Sequence, residues 1–147
     1  MPSHSEKRIL PYSSEQLFDL VMDIEKYPEF LPWCLAARVN EKKKSDLSAD
    51  VIVGYGPFRE KFSSHVKFKK PKEIEVHYLQ GPMSQLENKW MFRDMRGGQC
   101  EVDFYIDFSL KTKLFEKIVD QFFHRALVKM INAFEARALQ LYGGKKH

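Results

Sequence analysis

From Thr112 to Tyr142 no Pro or Gly interrupts the chain. Over that stretch Leu114, Phe115, Ile118, Val119, Phe122, Ala126, Met130, Ile131, Phe134, Ala138 and Leu141 recur every three or four residues. The spacing predicts one long helix with a single apolar face, stopped by Gly143 and Gly144. At about 1.5 Å per residue it spans roughly 45 Å. Such a face is not stable in water alone, because most helix stability in proteins comes from packing it. The rest of the chain must therefore supply a matching apolar surface.

What precedes the helix reads as strands. Ser3 to Leu10 is a weakly patterned first strand, ended by Pro11. Ser13 and Gln16 then fit a capping box, followed by Leu17, Leu20, Val21 and Ile24 at helical spacing. Tyr27-Pro28-Glu29-Phe30-Leu31-Pro32-Trp33-Cys34 is too rich in proline for a long helix and too aromatic for a solvent loop. A short helical turn with Phe30, Leu31 and Trp33 turned inward is expected. Leu35 to Lys42 is a second strand. Leu47, Ala49, Val51, Val53 and Tyr55 alternate with polar residues in a third. Phe58, Phe62, Val66 and Phe68 share one face of a fourth. Ile74, Val76 and Tyr78 mark a fifth, Leu86, Trp90 and Phe92 a sixth, and Val102, Phe104, Ile106, Phe108 and Leu110 a seventh. Sequential strands with short turns favour an antiparallel meander with one greasy face. The expected fold is α+β: a curved antiparallel sheet of about seven strands packed around the long C-terminal helix, in a single domain over residues 1–147.

Antiparallel strands place alternate turns at opposite ends. Lys42, Lys43, Lys44, Lys69, Lys70, Lys72, Arg93 and Arg96 should gather at one end, with Lys145 and Lys146. Trp33, Gly56-Pro57-Phe58, Gly81-Pro82-Met83 and Leu114-Phe115 should gather at the other, which is read as a cavity mouth or as an aromatic plug of an ordinary core. The net charge of +4 favours anionic membranes or RNA only mildly. The two cysteines, Cys34 and Cys100, have no disulfide or metal spacing, which favours a reducing compartment. No window holds the ~20 apolar residues that span a bilayer, and the N-terminus has no apolar signal core. A soluble cytoplasmic protein, peripheral to the inner membrane at most, is expected.

Twelve Phe, six Tyr and two Trp are enough to fill a core and also to wall a lipid cavity. The candidate lining residues are Phe30, Leu31, Trp33, Phe62, Tyr78, Trp90, Phe92, Phe122 and Phe134. Glu60 shares the alternating face of Phe58 and Phe62, so its carboxylate is expected either inside, as a hydrogen-bonding group or base, or at a strand end in water. The five histidines show no metal-ligand spacing, and no nucleophile elbow, P-loop or dinucleotide fingerprint is present. Neither a metal nor a required cofactor is expected.

Asp23-x-x-x-Tyr27-Pro28-x-Phe30-Leu31-Pro32-Trp33-Cys34, Arg59-Glu60-x-Phe62-x-Ser64-x-Val66, Gly81-Pro82 ahead of Leu86 and Trp90-x-Phe92, and Phe134-Glu135-x-Arg137-Ala138 together resemble the coenzyme-Q-binding START-domain family, part of the polyketide cyclase/dehydrase-like superfamily. The resemblance covers nearly the whole chain. It implies a helix-grip fold with a cavity for ubiquinone or a similar isoprenoid, held without catalysis by a carrier or chaperone that supports respiration. It also implies an alternative, a RatA-type toxin that binds the large ribosomal subunit and blocks subunit association. A cyclase-type enzyme using Glu60 or a tyrosine is the minor reading. The expected partners are a hydrophobic small molecule, an anionic membrane surface or the large ribosomal subunit, and not DNA.

Overall fold

The computed structural model describes residues 3–31, 33–55, 58–111 and 113–143, with the backbone alone for 55, 58, 110 and 113–124. Its strands are β1 (Ser3–Leu10), β2 (Cys34–Lys42), β3 (Asp46–Tyr55), β4 (Phe58–Lys69), β5 (Glu73–Gln80), β6 (Met83–Asp94) and β7 (Cys100–Leu110). Helix α1 (Ser14–Met22) and a 3-10 helix over Ile24–Glu29 lie between β1 and β2, and α2 (Lys113–Tyr142) closes the chain. The strands form one antiparallel sheet in the order β1-β7-β6-β5-β4-β3-β2. The meander from β2 to β7 is thus the one the sequence predicts, and β1 adds itself to the far edge, beside β7.

Pairing fixes the faces. Val66 sits opposite Val76, Ile74 opposite Trp90, Trp90 opposite Phe104, and Phe92 opposite Val102. With Leu47 and Ala49 of β3 these make the concave apolar face, and most are buried. The convex face carries the charges. Lys61 reaches Asp50, Lys89 reaches Glu73 and Glu75, and Arg93 and Lys7 reach Glu101. Such exposed pairs set register more than stability.

Ser13 caps α1 with Gln16 in the expected capping box. Leu17, Phe18, Leu20 and Val21 of α1 are buried, with Phe18 edge-on to Phe68 and Phe92 at 6.2 and 6.1 Å. Asp94 clamps the helix start, accepting from the Ser14 amide and hydroxyl, both at 2.8 Å. The segment after α1 is a 3-10 helix around Pro28, and it does turn Leu31 fully inward and half-buries Phe30 and Trp33.

On α2 the buried residues are Leu127, Ile131, Phe134 and Ala138. The predicted stripe needs correction: Ala126 and Leu141 are exposed, and Leu127 takes the inward place of Ala126. Leu127, Ile131, Phe134 and Ala138 fall on one i, i+4, i+7, i+11 line, so the bulkier leucine wins the buried position. Leu114, Phe115, Ile118, Val119 and Phe122 lie outside the residues with described side chains. Phe134 is the centre of the packing, with Phe30, Trp90 and Tyr27 at 5.2, 5.3 and 5.5 Å. Phe134→Ala is expected to cost roughly 3–5 kcal/mol in urea unfolding. A loss under about 1 kcal/mol would contradict this packing role.

Candidate functional site

The turns gather the lysines at one end of the sheet as the sequence predicts, while Gly56, Pro57 and the side chains of Phe58, Leu114 and Phe115, expected at the other, lie outside the described residues. The Phe68 amide bonds the Ser45 carbonyl, and the Phe92 amide bonds the Lys72 carbonyl. The β2–β3, β4–β5 and β6–β7 turns therefore lie side by side. Lys42, Lys43, Lys44, Lys69, Lys72 and Arg96 are exposed there. Lys70 pairs with Asp19 of α1 at 3.5 Å and Arg93 with Glu101 at 2.6 Å. Lys145 and Lys146 lie outside the described residues. Helix α1 plugs this end from within. The end of α2 docks beside it, the Tyr142 hydroxyl donating to the Gln16 carbonyl at 3.1 Å.

Near that end the interior is filled. Trp90 stacks on Phe92 and meets Phe104 edge-on at 4.7 Å. The Trp90 indole donates to Asn88 at 3.1 Å, and Asn88 in turn donates to the Tyr105 carbonyl. A hollow of about 50 Å³ remains between β1, β6, β7 and α2, walled by Trp90, Val102, Phe104, Ile131 and Phe134. It has room for a few waters and not for a lipid.

The strand that borders this apolar hollow carries polar residues, and the sequence did not announce it. β1 pairs with β7 so that His4, Glu6 and Arg8 stand opposite Ile106, Phe104 and Val102 on the concave face. Arg8 binds Glu6 beside it and Glu135 of α2, tying the edge strand to the helix. His4 Nε2 lies 2.8 Å from Glu6 Oε1. The bonds from His4 and then Arg8 hold the Glu6 carboxyl below its ordinary value of 4.5.

The opposite end is open between two strands. The β5–β6 ladder stops at His77 opposite Glu87, although both strands continue. Beyond it Gln80 follows β4, opposite Ser63, and Gln85 follows β7, opposite Ser109. Each register slips by one residue there, at Leu79 and Ser84, and such bulges bend a strand away from its former partner. The split leaves a pocket of about 430 Å³ lined by residues 78–81, 83–87 and Lys111. That volume is in the range of small-molecule sites.

A family model described as "Polyketide cyclase / dehydrase and lipid transport" matches residues 10–135. The chain belongs to this family. A ribosome association toxin RatA of Pseudomonas aeruginosa is 33% identical over 97% of this chain and 100% of that protein. The mitochondrial coenzyme Q-binding protein COQ10 homolog B of Xenopus laevis is 31% identical over 95% of this chain, which spans 59% of that longer protein. A START superfamily protein from Mycobacterium smegmatis has the same fold, with a TM-score of 0.81 at 18% identity, over 95% of this chain and 98% of that one. The polyketide cyclase and START-like members share the helix-grip architecture seen here.

Within that architecture the predicted lining residues separate. Phe30, Leu31, Trp90, Phe92 and Phe134 pack on one another in the filled half. Trp33 is half-buried at the start of β2, its carbonyl accepting from the Gly54 amide. Phe62 and Tyr78 face each other at 6.3 Å near the split. The side chain of Phe122 lies outside the described residues. Glu60 corrects the inward reading. It is exposed, because it lies near the start of β4, where the alternating face has run past the covered part of the sheet. Its carboxylate stands in water, the second of the two placements the sequence allowed. Cys34 and Cys100 are buried free thiols, pushed up by burial. Among the described residues no three His, Cys, Asp or Glu side chains could hold a metal, and no helix is long and apolar enough to cross a membrane.

The depressed Glu6 carboxyl makes the His4–Glu6–Arg8 cluster of β1 acid-sensitive. Its contribution is whole above the ordinary carboxyl value of 4.5 and is lost as pH falls through the lower folded value. Thermal melts from neutrality to about pH 3 should show wild type losing stability below that value, with Glu6→Gln showing a shallower fall. Parallel curves would remove Glu6 from the acid response.

Proposed function

We propose that this protein holds a hydrophobic isoprenoid, most closely a ubiquinone-type quinone, between its sheet and α2, as a carrier or chaperone and without catalysis. The observation that carries the reading is the split at the β5–β6 end, a pocket of about 430 Å³ beside the apolar concave face. Membership of a family whose description includes lipid transport supports it, and so does the similarity to a coenzyme Q-binding protein. Burial of a tail is worth about 0.8 kcal/mol per methylene, so a partly buried isoprenoid binds without many polar contacts. The convex face is laced with opposite charges. Protein purified without detergent should release a prenylated quinone on apolar extraction, seen by mass spectrometry. Repeated absence of any prenyl lipid, with no quinone binding on titration, would contradict the reading.

A second reading rests on the basic end. Six exposed lysine and arginine side chains crowd three adjacent turns, and the chain resembles proteins named for ribosome association. Phosphate contacts release counterions, so this reading requires binding to the large ribosomal subunit that weakens steeply with salt. Cosedimentation should fall when Lys42, Lys43, Lys44, Lys69 and Lys72 are changed to Glu. Cosedimentation indifferent to both salt and charge reversal would exclude it.

A further inference from the structure

The pocket in the split draws residues from both faces of the sheet. Tyr78 and Leu86 stand opposite Ser64 and Phe108 on the concave side, while the exposed Leu79 and Glu87 belong to the convex side. The inward Tyr78 and Leu86 therefore border the same space as solvent-facing residues.

A latch crosses it. The Tyr78 hydroxyl accepts a hydrogen bond from the Met83 amide at 2.8 Å. Gly81 makes the crossing feasible. Its φ is +153°, and a Cβ there would stand 2.7 Å from the Tyr78 hydroxyl and 3.0 Å from the Lys61 carbonyl. A phenol that accepts one bond keeps a proton to donate. The Gln80 amide and the exposed Lys111 ammonium add further donors around the same space, and Gln85, which gives one amide hydrogen to the Ser109 hydroxyl at 3.4 Å, keeps the other. Lys111 and Glu87 offset each other on the same wall, so the pocket holds neutral donors and is close to neutral overall.

We propose that this gap is the headgroup site of the hydrophobic guest. It takes a neutral ring bearing carbonyl or alkoxy oxygens, while the tail passes Leu86 into the grip. The proposal rests on the hydrophobic-ligand reading above and adds to it where the polar head sits and what chemistry it has. Donors without a net charge select acceptor oxygens over carboxylates and phosphates, which would need a surplus of cations. The interior then sets affinity through the tail, and the gap sets discrimination through the head.

The test compares decylubiquinone with decylbenzene, which shares the chain and lacks the oxygens. Each displaces the fluorescent probe N-phenyl-1-naphthylamine from wild type, Gln85→Trp and Leu79→Trp. The two variants fill the gap from opposite walls. Leu79 is 62% exposed, so a tryptophan there leaves the core untouched and decides the matter if the other variant fails to fold. Both exclude the oxygen-bearing ring from the gap and its donors and should weaken decylubiquinone by about tenfold, roughly the worth of one or two hydrogen bonds, while decylbenzene, whose bare ring gains nothing from the donors and stays in the apolar interior, should change less than about twofold. Quinone affinity unchanged in both variants, or both compounds weakened alike, overturns the headgroup site and leaves the hydrophobic-ligand reading standing. Wild type binding neither compound overturns both.

Discussion

The structure depends on the burial of one concave apolar sheet face by one helix. Strands β2 to β7 follow each other with short turns, so their inward residues form a continuous greasy surface that no strand can cover for another. The face of α2 has the same problem from the other side. Phe134 joins the two: it touches Trp90 on the sheet, Tyr27 and Phe30 on the connecting segment, and rides on the helix itself. The Arg8–Glu135 pair adds a polar tie at the sheet's open edge. Remove the contact between sheet and helix and both apolar surfaces return to water.

That grip is uneven along its length. At the basic end α1 enters the concavity and Phe18 packs on Phe68 and Phe92, so the interior is full. At the other end bulges at Leu79 and Ser84 part β5 from β6. The basic turns and the gap therefore sit at opposite ends of the sheet. A protein that docked its lysines on an anionic surface would hold the gap away from it. The two surfaces face away from each other, so the contacts proposed for them would be made separately.

Much of this was legible in the residues. Alternation in Leu47 to Tyr55 and Val102 to Leu110, the Ser13–Gln16 box, and the inward Leu31 all follow from local chemistry, as does the clustering of lysine turns. The face of β1 was not legible. His4, Glu6 and Arg8 are polar, and apolar alternation is what reveals an inward side; only pairing with Val102, Phe104 and Ile106 turns them in. Glu60 shows the converse limit. Alternation gives its face correctly but not how far along the strand the cover extends. The gap depends on two single-residue register slips, which leave no mark in composition beyond the Gly81-Pro82 turn beside them. The aromatic residues were ambiguous by nature, since a ring that lines a cavity and a ring that fills a core look the same in sequence.

On the function proposed above, an oily molecule enters by the β5–β6 gap and lies between sheet and helix. The most direct measurement is the set of intermolecular nuclear Overhauser effects from protein-bound decylubiquinone. Contacts are expected from the tail protons to the inward side chains of Leu86, Val76 and Ile106, and from the ring methoxy protons to Tyr78 and Met83. Contacts confined to convex-face residues such as Ile52, Met91 and Tyr105 would contradict it.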